Sequence, residues 1–248
     1  DIVHAFSHRP AALLPALRLR RAQGVPLVVD WSDLYGWPGI AAFRGRFGRL
    51  TLGQLDARYE RKALLAADHV TAICRPLLNR AREMGVSAER LSYLPVGANC
   101  RDIAIVSQAG ARAELGLPAD DPVIVTTGFA AYDDQLLLAS VIELARQLPQ
   151  AHFLFAGRSR MALIESCAAL GISHRMTDLG PLPFSEMSNV LASADVALLP
   201  YSDQPVNQCR YSNRLGDYMA AGLPVVTNLT GDVGELVGGG HPVAGALH

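Results

Sequence analysis

The chain lacks most of the patterns that announce a particular chemistry. Its four cysteines, Cys74, Cys100, Cys167 and Cys209, are scattered with no C-x-x-C spacing. That argues against a zinc site or a disulfide framework and reads as reduced thiols of a cytoplasmic protein. There is no G-x-G-x-x-G, no Walker motif and no H-E-x-x-H. No metal and no bound cofactor is therefore expected. Twenty-two basic and 23 acidic residues leave a net charge of −1, so nothing argues for bulk nucleic-acid binding. No apolar run approaches the roughly 20 residues needed to span a bilayer. The first residues do not read as a signal peptide, and no repeat of 20 to 50 residues is present.

What is present is the material of a folded core. Half of the 248 residues are hydrophobic and 18% are charged, which suits a soluble protein. The length allows one large domain or two small ones. Strand and helix signals alternate almost throughout, which predicts an α/β protein built on doubly wound parallel sheets.

In the first half, Asp1–Phe6 reads as a strand and Pro10–Ala22 as a helix. The arginines at the end of that helix, Arg18, Arg20 and Arg21, complement its dipole. Val25–Asp33 is a strand running into a loop. Ligands of open α/β sheets sit at the C-terminal ends of strands, which makes Asp30 and Asp33 candidates. They could orient a ligand hydroxyl or take its proton; equally, either could cap the following turn. His8, after the first strand, is a further cleft candidate, with a surface or core histidine as the alternative. Within 39–62, Phe43, Phe47 and Leu50 mix with Arg44, Arg46 and Arg49. Such a segment suits an anionic membrane surface, or it is the solvated basic face of a core helix. Gly45 and Gly48 argue against regular helix there. Asp68–Cys74 reads as a strand, Pro76–Gly85 as a helix with a Leu77, Leu78, Ala81 stripe, and 97–121 as a linker with a short helix over Val106–Leu115.

In the second half, strands are expected at Pro122–Gly128, Ala151–Gly157 and Ala194–Tyr201. The stretch Tyr211–Thr227 carries the densest signal. A polar loop enters a helix at about Ser212, Gly222 supplies a left-handed C-terminal cap, and Pro224 bars further helix. Val225-Val226 then starts a buried strand. The helix start offers backbone N–H groups that suit an anion such as a diphosphate, and Asp217 lies about one turn further in.

Asp217-Tyr-Met-Ala-Ala-Gly-Leu-Pro-Val-Val226 resembles the Glu-Ala-Met-Ala-x-Gly-x-Pro-Val-Val segment of family 4 glycosyltransferases, retaining enzymes of GT-B fold. Asn213-Arg214-Leu-Gly-Asp217 is similar to a variant with Asn-Lys-x-x-Glu. Thr177-Asp-Leu-Gly-Pro-Leu-Pro183, Ala194–Tyr201 and Leu91–Asn99 resemble further family segments, in family order. The resemblance implies two Rossmann-like domains: a partial acceptor-side domain over 1–97, a linker over 98–121 and a nucleotide-sugar-binding domain over 122–248. It also implies a chain that begins midway through the first domain and stops before the family's last helices.

The implied activity is transfer of a sugar from a nucleotide-sugar to a hydroxyl acceptor, a glycan or lipid-linked glycan, with retention. Asp217 would hold the ribose. Ser212, Asn213 and Arg214 would meet the diphosphate, and Leu182 would lie at the nucleobase. Asp30, Asp33 and His8 would serve the acceptor and the chemistry. In much of the family the turn after the first strand of the second domain carries an Arg and a Lys for the diphosphate. Here that turn is Gly128-Phe-Ala-Ala-Tyr-Asp-Asp134, without cations and with two acids that would repel a diphosphate. Arg210, Arg214, Arg158 and Arg160 are candidates to replace the missing charge. The first Glu of the family's E-x7-E motif falls at Cys209. Peripheral membrane contact through 39–62 at the inner face is a further expectation. A non-catalytic nucleotide- or sugar-binding protein that kept the fold is the alternative; a GT-B epimerase is a more distant one.

Overall fold

The computed structural model describes residues 1–128, 131–158 and 161–238. The chain divides into two compact units. The first holds Asp1–Val96, Asp203–Tyr211 and the stretch that begins at Leu229; the second holds Gly97–Ser202 and Ser212–Asn228.

The first unit carries four parallel strands, β1 (Val3–Ala5), β2 (Leu27–Trp31), β3 (His69–Ala72) and β4 (Leu91–Tyr93), side by side in chain order. Val3 pairs with Leu27, Val29 with Val70, and Val70 with Leu91. Four helices connect them: α1 (Pro10–Gln23), α2 (Arg46–Leu50), α3 (Leu52–Ala66) and α4 (Arg75–Glu83). Leu27, Val29 and Trp31 alternate inward along β2, as the strand period requires. They meet Leu13, Ala16 and Leu17 of α1, Ala63 and Leu64 of α3, and Leu77, Leu78 and Ala81 of α4 in one core. Cys209 joins this core and Tyr211 packs on it. Contrary to expectation, Gly45 and Gly48 do not prevent a helix. Gly45 is the N-cap of α2 and Gly48 lies inside it, where a Cβ would stand 3.0 Å from that of Arg44.

The second unit opens with α5 (Gln108–Leu115), capped by Ser107, whose side chain accepts the N–H of Gly110. There follow β5 (Val123–Thr127), α6 (Asp134–Gln147), β6 (His152–Ala156), α7 (Met161–Ala169), β7 (Met176–Asp178), α8 (Met187–Ala192) and β8 (Val196–Leu199). The chain then passes to the first unit for α9 (Pro205–Gln208) and returns for α10 (Asn213–Ala220) and β9 (Val225–Thr227). Its last described helix, α11 (Val233–Gly238), belongs to the first unit.

The sheet of the second unit is parallel, in the order β7-β6-β5-β8-β9. β5 is buried at every residue, as befits the centre of a sheet covered on both faces. Arg112 of α5 ties the entry of that strand. Its guanidinium donates to the carbonyls of Ser193 at 2.9 Å and Ala119 at 2.6 Å, and to Asp195 at 2.7 Å. Asp195 in turn accepts the N–H of Val123 at 2.7 Å.

Candidate functional site

The strand order of the second unit reverses beside β5. The chain first winds outward to β6 and β7, then crosses to β8 on the other side. The C-terminal ends of β5 and β8 therefore flank a topological switch point, the place where open α/β sheets bind ligands.

The β5 end is built of glycine and carbonyl oxygen. Gly128 lies at φ 45° and Gly157, just beyond β6, at φ 130°. A Cβ on Gly157 would sit 3.0 Å from both the nitrogen and the Cα of Gly128, so the two backbones meet without side chains between them. The N–H of Gly128 donates to Ala156 at 2.7 Å. Beneath the turn, the fully buried Tyr218 hydroxyl accepts the N–H of Thr127 at 2.9 Å and bonds its Oγ1 at 2.9 Å. A cleft lined by Thr126, Gly128, Phe155, Gly157, Arg158 and Asp178 opens at the ends of β5 and β6.

The β8 end supplies Tyr201 and the approach to α10. Ser212 is the N-cap of α10 and accepts the N–H of Leu215 at 3.2 Å. Tyr201, 3% exposed, donates its hydroxyl to Ser212 Oγ at 2.5 Å. Arg214 reaches back across the switch point. Its guanidinium donates to the carbonyls of Gly128 and Thr127 and lies 5.7 Å from the Tyr201 ring centroid. A guanidinium, the positive end of a helix and a glycine turn thus converge on one place, a combination suited to a phosphate group.

The predicted donor residues fall around this place unequally. Ser212, Arg214 and Gly128 come together. Asn213 is exposed at the first helical position, and Asp217 follows one turn later on the same face, half-buried. Burial raises the Asp217 carboxyl above its ordinary range. Arg158 is exposed on the cleft after β6, and Leu182 is half-buried on the loop after β7. Arg160 lies outside the described residues. Asp133 does not present its charge to a ligand as the sequence suggests. It is 1% exposed, and its Oδ1 accepts both the N–H and the hydroxyl of Ser202 at 3.1 and 2.6 Å. Arg210 parts from Arg214: it belongs to the first unit, where its charge opposes the burial that raises Asp33.

The acceptor-side candidates stand at the ends of the first unit's strands. Asp30 is still within β2, and its Oδ1 accepts the hydroxyl of Thr71 on β3 at 2.6 Å. It is thus tied across the sheet to β3. Asp33 is half-buried in the loop that follows. His8 is 1% exposed, and its Nε2 lies 3.6 Å from Glu60 Oε1. Burial, against the pull of Asp56, brings the imidazole down to about 4, so it is neutral at pH 7. The buried Glu60 holds the loop after β2, accepting the N–H groups of Tyr35 at 2.7 Å and Gly36 at 3.1 Å. Burial raises its carboxyl, and those two N–H groups oppose the rise. The His8 ring meets that of Tyr35 edge-on at 5.3 Å and presents almost no surface to solvent. Glu60, Tyr201 and Tyr218 escaped the sequence reading. Only Glu60 left a trace, as a polar residue three and four positions before the buried Ala63 and Leu64.

Cys209, at the place of the family's first Glu, packs in the first unit's core, and burial pushes its thiol up to about 11. Among the described residues no group of three or more His, Cys, Asp or Glu could hold a metal ion.

Residues 121–247 match the family model described as glycosyl transferases group 1, and residues 1–97 that of the glycosyl transferase 4-like domain. The chain belongs to the group 1 glycosyltransferases. D-inositol 3-phosphate glycosyltransferase of Nocardia farcinica (strain IFM 10152) is 30% identical over 195 residues, covering 71% of this chain and 40% of that protein. HepE of Anabaena, solved with UDP and glucose, matches all of this chain and 64% of its own at a TM-score of 0.75 and 21% identity. Sucrose-phosphate synthase of Thermosynechococcus elongatus matches 94% of this chain and 57% of its own at a TM-score of 0.70 and 20% identity. The fold is GT-B. The chain spans less than half the length of its Nocardia relative.

Proposed function

We propose that the second unit binds a nucleotide-sugar at the β5–β8 switch point, and that the protein transfers its sugar to a hydroxyl acceptor with retention. The observation that carries this reading is the placement of Arg214. Its guanidinium stands at the end of β5, one residue into a Ser212-capped helix, within the residues that match the group 1 family. In this reading Arg214, the α10 start and Gly128 take the diphosphate. Asp217 accepts the ribose hydroxyls, Leu182 lies at the nucleobase, and Arg158 extends the positive side of the cleft. Charge that develops on the departing diphosphate is stabilised by donors already fixed in place, the arrangement that contributes most to such reactions. Asp30, Asp33 and His8 belong to the acceptor side, where the half-buried Asp33 is best placed to meet a hydroxyl. No metal, cofactor or protein nucleophile is invoked. The solved HepE complex with UDP and glucose supports a nucleoside diphosphate as the first ligand to test.

Binding of UDP, GDP, ADP, dTDP and their sugars, by calorimetry and thermal shift on the whole chain, tests the reading. One preferred nucleotide, lost in Asp217→Ala and Arg214→Ala, supports it; a folded chain that binds none contradicts it. A second reading, a nucleotide-binding protein without transfer, is favoured by the cation-free turn after β5 and by Cys209 in a core. Nucleotide binding without sugar release or transfer from any donor would select it.

Peripheral contact with an anionic membrane through 39–62 is part of the proposal. Phe47 is 82% and Leu50 68% exposed beside the exposed Arg46. Arg44 is paired with Asp56 at 2.7 Å and Arg49 lies over Trp37, so both hold the segment in shape. Flotation with anionic vesicles, abolished in Phe47→Ser/Leu50→Ser, would support this contact; flotation unchanged in that variant would contradict it. Among the described residues no helix is long and apolar enough to cross a membrane.

A further inference from the structure

Arg214 is the cation on which the proposed diphosphate site depends, and the turn after β5 brings no second one. An arginine side chain loses about 2 kcal/mol of rotamer freedom when it is fixed. Its use at a ligand therefore depends on what already holds it. The carbonyls of Thr127 and Gly128 hold one side. Tyr201 holds the other: the Arg214 Cζ lies 5.7 Å from the ring centroid, and Nη2 stands 3.5 Å from the phenol oxygen.

Tyr201 is itself fixed at several points. Its backbone N–H donates to Asn228 Oδ1 beyond β9 at 3.0 Å. Its hydroxyl donates to Ser212 Oγ at 2.5 Å, and the same Ser212 oxygen accepts the N–H of Leu215 in the first turn of α10. The hydrogen bonds run in one direction, from guanidinium to phenol oxygen and from phenol to the cap. The side chain is 3% exposed, so water competes little for these bonds. One residue thereby joins the end of β8, the start of α10 and the guanidinium.

We infer that Tyr201 is a positioning residue for the donor diphosphate: it orients the Arg214 guanidinium and the opening turn of α10 so that both address the same anion. The inference rests on the donor-site reading above. Ring and hydroxyl have separable parts in it. The ring gives the cation a face to lie on, and the hydroxyl sets the cap relative to the guanidinium.

The test uses the whole chain and two variants, Tyr201→Phe, which keeps the ring and the packing, and Tyr201→Leu, which keeps neither ring nor hydroxyl. Two quantities are measured on each. One is guanidinium rotation by arginine side-chain NMR, with the Arg214 signal identified by its loss in Arg214→Lys. The other is calorimetric binding of inorganic pyrophosphate and of UDP, GDP, ADP and dTDP. For Tyr201→Phe the expected result is faster Arg214 rotation and affinity about three- to tenfold weaker, the worth of one hydrogen bond. For Tyr201→Leu it is faster rotation still and a loss of about ten- to thirtyfold.

A purely structural role would lower the melting temperature of both variants and leave rotation and affinity at parental values in the folded chain; that result overturns the inference. Faster rotation with unchanged affinity overturns it as well. Faster rotation in the variants of a parent that binds neither pyrophosphate nor any nucleotide has a different meaning. It upholds the grip of Tyr201 on Arg214 and removes the donor-site reading.

Discussion

Arg214 and Asp217 stand three residues apart on one short helix, yet removing each should cost different things. If Arg214 binds the diphosphate as proposed, Arg214→Ala removes a charge-assisted contact and nucleoside diphosphate affinity should fall about 10- to 100-fold. Arg214→Lys should recover only part of that, because an ammonium cannot keep both the carbonyl contacts and the Tyr201 face. Asp217→Asn should cost about 3- to 30-fold, and more for nucleotides than for pyrophosphate, which has no ribose. Calorimetry with both ligands separates the two roles; equal losses for pyrophosphate and nucleotide in Asp217→Asn would contradict the ribose assignment.

His8 carries a different prediction at this scale. Its folded-state value, about 4, lies below the ordinary 6.5 because burial resists the charged form. Its contribution to stability is therefore full above pH 6.5 and is lost as pH falls toward 4. At pH 5 the loss is about 2 kcal/mol. Glu60, raised by burial, acts in the opposite sense: its share is full below 4.5 and is lost as pH rises through its folded value. Melting curves of the parent and His8→Gln between pH 7 and 5 should diverge, with the parent losing more; parallel curves would contradict the buried neutral imidazole.

These residues also mark what a sequence can disclose. Ser212 and Gly222 were legible because a cap acts within a few residues of itself. Asp217 was singled out through its motif, and it lies one turn into α10. Tyr218 and Tyr201 were not, because their partners are Thr127, far earlier in the chain, and a guanidinium that only the fold brings near. Asp133 misled because a carboxylate beside a turn looks solvent-facing until Ser202, in the loop after β8, is seen to bond it.

At the scale of elements, the alternation of strand and helix gave the parallel sheets, since period and length are local properties. Strand order is not local; a doubly wound sheet implies a reversal, but that it falls beside β5, at the candidate site, came from the structure. The elements around that reversal depend on a few ties. Arg112 holds α5 to the entry of β5 through Ser193, Ala119 and Asp195. Arg112→Ala leaves the buried Ser193 carbonyl without this donor and the partly buried Ala119 carbonyl likewise, and should cost about 2–4 kcal/mol, moderated by the partial exposure of Asp195. Urea unfolding should show a clearly lower midpoint with nucleotide affinity of the folded chain retained; an unchanged midpoint would contradict the role. Gly157→Ala should do the reverse at the site. Its Cβ must displace the Gly128 backbone and adopt an unfavourable φ, so nucleotide affinity should drop even where the chain stays folded. Parental affinity in a folded Gly157→Ala chain would contradict the close approach of the two turns.

At the scale of the molecule, the two units are not two consecutive halves of the chain. Residues 203–211 and 229–238 fold with the first unit although residues of the second precede each stretch in sequence. That division could not be read from motif order. It has a chemical consequence for the family pattern: the position of the first Glu of E-x7-E, occupied here by Cys209, packs in the first unit's core, whereas Asp217 stands in the second. A Cys209→Glu substitution would place a carboxylate in an apolar core and should destabilise the chain by several kcal/mol without adding a donor contact. Thermal melting and nucleotide affinity of that variant check both parts of the statement.

The proposed nucleoside diphosphate site at the β5–β8 switch point of the second unit depends on Arg214. The measurement that meets it most directly is calorimetric titration of the whole chain with UDP, GDP, ADP and dTDP, repeated on Arg214→Ala. Saturable one-site binding of a preferred nucleotide is expected, weakened about 10- to 100-fold in the variant. Binding that is unchanged in Arg214→Ala, or no binding by a folded parent, would contradict it.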